Sequence, residues 1–297
     1  MAEAKRPVGV IGTGLMGTAC AKRLITAGFD VIGYDVDPAK LGPLAGLGGR
    51  AARSMDEIAR ACDRAVLAVF NTDQVEQAIE GPGGLLASRP ATAPPLTAIC
   101  VSTCDPDRIA ALAARLPAAR VRFVEAPVSG TSEQTARGDA LGLVGGEPAA
   151  VESVREVIAA IAPRWRHVGA AGNGGRTKLA INLILGINRA ALAEGLVLAE
   201  RMGLAPDRFL EAARESAAYS QVMDIKGGKM IAGNFAPQGY VAQSLKDFSL
   251  MLEQARRLGQ RLPLGETYAS LMEGCIAAGE GELDNSAVIR EIRRRTA

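Results

Sequence analysis

At 297 residues the chain can bury a large core, and two domains are the natural expectation. A formal net charge of +2 provides no basic footprint for nucleic acid or for an anionic membrane surface, and a composition 48% apolar is that of a soluble globular protein. The five cysteines, Cys20, Cys62, Cys100, Cys104 and Cys275, form neither a CxxC pair nor a disulfide framework, so packed thiols are expected and no metal site.

Met1 to Arg6 is charged and leads straight into a core strand, which reads as no signal peptide. No apolar run reads as long enough to span a bilayer, so the expected location is the cytoplasm, with no membrane partner. The apolar run from Val8 to Ile11 then enters Gly12-Thr13-Gly14-Leu15-Met16-Gly17 and a helix through Cys20, Leu24 and Ile25. Gly12, Gly14 and Gly17 have the G-x-G-x-x-G spacing. The first permits a tight turn, the second lets a pyrophosphate approach the backbone, and the third lets helix and strand pack closely. The helix start adds free N–H groups and the positive end of its dipole.

A second strand, Val31 to Tyr34, ends in Asp35, where a dinucleotide's ribose hydroxyls are read. A carboxylate there repels a 2′-phosphate, which favours NAD over NADP, although Asp37 is close enough to compete for the assignment. Next come a helix near Met55 to Ala61, a strand from Ala65 to Phe70, and Asn71-Thr72 turning into another helix. A strand at Ala98 to Val101 leads to Asp105 as N-cap and Pro106 at N1. Asn71 and Thr103 lie at strand ends, where cofactor contact and ordinary turn chemistry are equally good readings. Phe123 to Val128 leaves through Pro127 into Ser129-Gly130-Thr131. A strand over Ala140 to Val144, a helix over Pro148 to Ile161 and a strand over Trp165 to Val168 close a doubly wound α/β domain, residues 1–168. His167, the single histidine, reads as structural.

From Gly169 onward no strand is expected, so residues 169–297 read as an all-α domain. A glycine-rich junction, Gly169 to Gly175, opens a long helix over Arg176 to Met202. This helix is apolar around much of its circumference and is expected either to be central to its domain or to pack on a partner subunit. Further helices are expected over Pro206 to Glu215, Leu245 to Leu258, Leu264 to Ala278 and Ser286 to Arg294, with the basic run Arg290 to Arg295 a solvated helix end. Lys178, in the first turns of the long helix, is the best acid/base candidate, since a lysine in a desolvated cleft loses solvation of its charged form. Asn182 follows at i+4 on the same face and can hold a hydroxyl. A snorkelling lysine at a helix start is the plain alternative.

Gly12 to Gly17, Glu125-Ala126-Pro127-Val128-Ser129-Gly130, Gly172 to Asn182 and Lys246-Asp247 stand in the order found in the β-hydroxyacid dehydrogenases, and the likeness runs through Asp284-Asn285-Ser286-Ala287. The chain resembles the 3-hydroxyisobutyrate dehydrogenase and glyoxylate/succinic semialdehyde reductase branch. That resemblance implies a nicotinamide-dependent oxidoreductase acting on a small carboxylate substrate, a 3-hydroxy acid or its semialdehyde, in a homodimer or homotetramer. It implies Lys178 as acid/base and Asn182 as its orienting partner. Ser129, Gly130 and Thr131 would bind the substrate carboxylate, with Thr103 on the nicotinamide side, Lys246 closing over cofactor and substrate, and Asp247 orienting Lys246.

Two departures bear on the substrate. The family commonly reads Asp-Ala-Pro-Val-Ser-Gly-Gly, where this chain has Glu125 and Thr131, followed by Ser132-Glu133-Gln134. Thr131, Glu133 or Gln134 are either readers of a variable substrate end or loop-solvating residues. The rival readings are an NADPH-dependent glyoxylate or succinic semialdehyde reductase, an imine reductase, a 6-phosphogluconate dehydrogenase and a non-catalytic NAD-binding sensor or scaffold. An imine reductase usually lacks the lysine, a sugar-phosphate enzyme would need greater length and a basic cluster, and a sensor would need no Lys178–Asn182 pair.

Overall fold

The computed structural model describes residues 7–295; the stretch Met1 to Arg6, read above as carrying no signal peptide, lies outside them. The chain divides into two compact units, one ending at Lys178 and the other beginning at Leu179. This division by contacts lies later than the sequence boundary at residue 168, because the first turns of the long helix pack with the sheet. There Gly172 and Gly175 donate to Glu125, and Arg176 pairs with Asp107 at 2.8 Å.

The first unit is built on one nine-stranded sheet: β1 (Val8–Ile11), β2 (Val31–Tyr34), β3 (Arg50–Ala51), β4 (Arg64–Leu67), β5 (Leu96–Cys100), β6 (Val121–Glu125), β7 (Val128–Ser129), β8 (Leu141–Gly145) and β9 (Arg164–Gly169). The order is β3-β2-β1-β4-β5-β6-β8-β7, with β9 on β8. Strands β1 to β6 run parallel, β8 turns antiparallel to β6, and β9 is parallel to β8. Alternate residues of the central strands feed two cores, as a sheet covered on both faces requires. Val10, Val66, Ile99 and Val124 meet Cys20 and Leu24 on one face, while Ile11, Ala65, Leu67, Ala98 and Cys100 meet Ile58, Ile79 and Ile109 on the other. The doubly wound class read from the alternation of elements is the one observed.

Several details differ from the sequence reading. β3 and β7 have two residues each, too short to leave a periodic trace. β4 stops at Leu67 rather than Phe70: the Val69 carbonyl accepts from the Ser102 hydroxyl at 2.7 Å, and Phe70 is exposed. The helix expected over Pro148 to Ile161 is two, Pro148–Ser153 and Arg155–Ile161, parted at Val154, whose φ of −123° is not helical. His167 is structural as read, its Nε2 lying 3.0 Å from the Gly146 carbonyl.

Arg89 had no sequence signal and is 1% exposed. Its guanidinium donates to the Ala59 and Cys62 carbonyls at 2.6 Å each, to Pro94 O at 2.9 Å and to Asp63 at 2.6 Å, tying the link into β4 to the link into β5.

The second unit is helical: the long helix from Leu179, then Pro206–Glu215, a π-turn Met223–Gly227 running into Gly228–Ala232, Val241–Arg257, Pro263–Ala277 and Val288–Arg295. Leu192, Leu196, Phe248, Met251, Tyr268, Met272 and Ile289 share its core. Gly186 lets the Phe248 and Tyr268 rings lie against the long helix; a Cβ there would come within 2.4 Å of Phe248. A buried ion pair closes the turn region: Lys226 Nζ donates to both Asp284 oxygens at 2.9 and 2.8 Å. Burial pushes the Asp284 carboxyl up, but Lys226 and donors from Gln238 and Ser286 outweigh it and hold it below the ordinary range.

Two expectations are corrected here. The Arg290 to Arg295 run is not a freely solvated end. Arg290 and Arg294 pair with Glu280, Arg294 and Arg295 with Glu291, and Arg293 with Glu200, because Glu280 and Glu291 are buried carboxylates that need cations. The second concerns the long helix, Asn173–Arg201, which among the described residues is long and apolar enough to cross a membrane by length and composition. Its sparse charges, among them Lys178 and Arg189, masked that in the sequence. It is a core helix on one face, through Leu179, Leu192, Ala193, Leu196 and Val197; yet much of its apolar surface is left uncovered within this chain, and Ile184 and Leu198 are exposed.

Replacing Arg89 by Met should leave three buried carbonyls without a donor. We expect a loss of roughly 3 kcal/mol, read as a lower urea midpoint at an unchanged slope. A midpoint within experimental error of the wild type would show the guanidinium to be dispensable.

Candidate active site

The glycine turn has the geometry its spacing calls for. Gly12 sits at φ +85°, and a Cβ there would lie 2.6 Å from the Ala68 carbonyl. At Gly17 a Cβ would come within 1.8 Å of Gly12 O, so helix and strand touch through the missing side chain. Gly14 differs from both: a Cβ there meets no protein atom within 4 Å. Gly14 is also the N-cap of Leu15–Thr26, with no side-chain cap and no acid in the first turn. Open space beside unshielded helix N–H groups is what a pyrophosphate needs, so the residues present fit a dinucleotide.

Asp35 closes the same site. One carboxylate oxygen accepts from Thr13 N at 2.7 Å and the other from Asp37 N at 3.0 Å, while the Thr13 hydroxyl donates to the Lys40 carbonyl at 2.9 Å. The two sequence candidates are thereby separated: Asp35 is bound to the glycine turn, and Asp37 caps the short helix Pro38–Leu41. Asn71 has a cap role as well, its Oδ1 accepting from Gln74 N at 2.9 Å, which is the turn chemistry weighed above. Thr103 is 6% exposed, just beyond β5.

The Ser129-Gly130-Thr131 loop leaves β7, where Ser129 pairs with Leu141 of β8. Thr131 is the N-cap of an unexpected helix, Ser132–Arg137, with a full capping box: Thr131 Oγ1 accepts from Gln134 N at 3.1 Å, and Gln134 Oε1 accepts from Thr131 N at 2.9 Å. The Thr131 N–H is thus already used within the capping box. Gln134 is committed in the same way, and Glu133 is a solvent-side residue 4.0 Å from Arg137. Only the hydroxyl proton of Thr131 is left to donate. The S/T-x-x-Q pattern of Thr131 and Gln134 is legible in the sequence as a capping box.

Glu125, at the end of β6, is 1% exposed. Its Oε2 accepts from Gly172 N and its Oε1 from Gly175 N, both at 2.8 Å. Glycines make the room: a Cβ at Gly174 or Gly175 would stand 2.9 or 2.8 Å from the carboxylate oxygens, and one at Gly145 3.0 Å away. Burial outweighs the backbone donors and pushes this carboxyl up to about 7. Lys178, 7% exposed, follows in the next turn of the helix that begins on this carboxylate.

In the second unit Asn182, one turn beyond Lys178, donates through Nδ2 to Asp247 Oδ2 at 2.9 Å. Lys246 Nζ lies 2.9 Å from the other oxygen, Oδ1, which makes no aligned hydrogen bond. Asp247 therefore holds Asn182 as well as standing beside Lys246, a link sequence spacing could not give because the two lie on different helices.

Fold and glycine turn together define a Rossmann-type dinucleotide-binding protein with a helical second domain. A model of the NAD-binding domain of 6-phosphogluconate dehydrogenase matches residues 7–169, and one of the NAD-binding domain of NADP-dependent 3-hydroxyisobutyrate dehydrogenase matches residues 172–292. The chain is 32% identical to the L-threonate dehydrogenase of Cupriavidus necator, over 96% of this chain and 95% of that one. It is also 32% identical to the 2-(hydroxymethyl)glutarate dehydrogenase of Eubacterium barkeri, over 95% and 93%. The crystal structure of a 3-hydroxyisobutyrate dehydrogenase from Salmonella typhimurium superposes with a TM-score of 0.87 at 29% identity, covering 96% of this chain and 99% of that one. The chain belongs to the β-hydroxyacid dehydrogenase family.

Two measurements follow from this geometry. Gly14→Ala should keep the wild-type melting temperature, since its methyl meets no protein, yet weaken NAD binding in a thermal-shift titration. Gly17→Ala should lower the melting temperature without cofactor. Equal behaviour of the two variants would contradict the assigned roles. Glu125 gives a pH signature, because its folded-state value is raised: the unfolded carboxyl ionises near 4.5, the folded one near 7. Its contribution to stability is thus present below about 4.5 and lost as pH rises to 7. Wild type should lose stability relative to Glu125→Gln across that window, by urea titration at each pH, and then level off.

Proposed function

We propose that the protein is an NAD-dependent oxidoreductase that interconverts a small 3-hydroxy acid and its semialdehyde or keto form. The observation that carries the proposal is Lys178 in the helix held by Glu125, with Asn182 one turn on and fixed by Asp247. A bound nicotinamide supplies the hydride acceptor. The chain's own task is then to move a proton at the substrate oxygen and to hold the carboxylate. Lys178 takes the hydroxyl proton in oxidation and returns it in reduction; an amine shielded from water is suited to that exchange. Asn182, its Nδ2 spent on Asp247, turns its amide oxygen toward the hydroxyl. The Ser129 hydroxyl, the Gly130 N–H and the Thr131 hydroxyl are the proposed carboxylate donors, with Lys246 as a further cation. Asp35 supports NAD over NADP, since a second negative charge at the 2′ position would meet a carboxylate already fixed by Thr13 and Asp37.

The relatives named above carry three different substrates in their names, which supports a hydroxy acid and leaves its identity to experiment. Cytoplasmic location and a dimeric or tetrameric assembly remain parts of the proposal, the second supported by the uncovered apolar face of the long helix.

The test is NADH formation at alkaline pH over a panel containing 3-hydroxyisobutyrate, L-threonate, glycerate, 3-hydroxypropionate and 4-hydroxybutyrate, run with Lys178→Ala. We expect turnover with at least one acid, a loss of 100-fold or more in kcat for the variant, and NAD affinity preserved. Normal turnover by Lys178→Ala would show that another group moves the proton. Asp35→Ala should raise the use of NADP relative to NAD by about tenfold or more, read as the ratio of kcat/KM values.

A further inference from the structure

We propose that Glu125 is a positioning residue whose carboxylate fixes the start of the Lys178 helix and sets the charge environment in which Lys178 exchanges its proton. The inference rests on the reading of Lys178 as the acid/base and goes beyond it by naming what controls that lysine.

Gly174 and Gly175 precede Lys178 by four and three residues, so all three lie on one helix face. That face is the one Glu125 covers, because the missing Cβ atoms of both glycines point at its carboxylate oxygens. Side chains on a helix lean toward its N-terminus. Lys178 therefore leans toward the end that the carboxylate occupies, about one turn or 5–6 Å along the axis. The positive end of the helix dipole by itself would disfavour an ammonium at that position. A carboxylate on the first N–H groups reverses the sign of that field.

The arrangement is costly. A buried carboxyl raised toward neutrality destabilises the fold whenever it is ionised, and an uncharged residue would avoid that penalty. The other titratable neighbours cannot substitute for it. Cys100 on β5 and Cys104 just beyond it are buried thiols, with Cys100 pushed well above its ordinary range by Cys104, burial and Glu125. Arg176, on the helix itself, is a cation that pairs with Asp107 and whose charge also acts on Glu125. Glu125 is thus the negative group assigned to Lys178, on the ground of the helix face both share.

The experiment needs no substrate. The holoprotein with saturating NAD is pulsed with acetic anhydride from pH 6 to 10, and acetylation of Lys178 is read by peptide mass spectrometry in wild type, Glu125→Gln and Glu125→Asp. Amine reactivity follows the deprotonated fraction. Removing the charge in Glu125→Gln should lower the midpoint by about one pH unit. Glu125→Asp keeps the charge and should stay near wild type, whereas a merely structural role would move both variants alike. An unchanged midpoint in Glu125→Gln, equal shifts in both variants, or a Lys178 that never labels up to pH 10 overturns the proposal. NADH fluorescence titration confirms that each variant still folds and binds cofactor. The outcome separates from the catalytic reading. A Glu125-dependent midpoint with no turnover of any hydroxy acid would leave the linkage standing and sink the activity, while turnover with an unchanged midpoint would do the reverse.

Discussion

A carboxylate almost wholly withdrawn from water marks where the longest helix of this protein begins. Glu125 ends a parallel strand, and the backbone N–H groups of Gly172 and Gly175 have no better acceptor than its two oxygens. The glycine at 175 follows from it, because a Cβ there would collide with the carboxylate, and those at 145 and 174 are held both by it and by the Ala170 and Leu143 carbonyls. The break between the compact units at Lys178 follows as well, since the helical turns gathered onto Glu125 stay with the sheet. A neutral residue at this position would relieve the desolvation but would give up the point from which Lys178 is placed.

The parts of the fold that could be read from sequence are those in which one physical signal dominates. The central strands alternate between two cores, and the glycine turn has roles that no other residue can fill, so both were legible. The short strands β3 and β7, the break at Val154 and the staple of Arg89 depend on neighbours distant in sequence. Nothing local in Arg89 says that three carbonyls converge on it. The C-terminal arginines depart from a solvated helix end for the same reason: their partners Glu200, Glu280 and Glu291 are brought to them by the packing of helices.

Residues of the site divided in the same way. Gly12, Gly14, Gly17 and Asp35 are local to one strand–turn–helix unit and its neighbour, and their geometry is the one the spacing implies. The Asn182–Asp247 bond joins two helices, and a sequence can place both residues without saying that they touch. Thr131 and Gln134 give a different lesson. Their departure from the small residues usual in the family invited a role in substrate selection, yet most of their hydrogen-bonding capacity goes into starting a helix. If the loop reads a substrate, it does so through Ser129, the Gly130 N–H and one remaining hydroxyl proton.

The five cysteines are all buried and none is in a disulfide, and burial pushes Cys20 and Cys275 up to about 12. A thiol of that kind is inert toward alkylating reagents until the structure around it opens. Four of the five belong to the sheet unit and one, Cys275, to the helical unit. The chain therefore carries internal clocks of its own breathing. The rate at which each sulfur becomes modifiable, followed peptide by peptide, times the opening of the two units separately and without any introduced label.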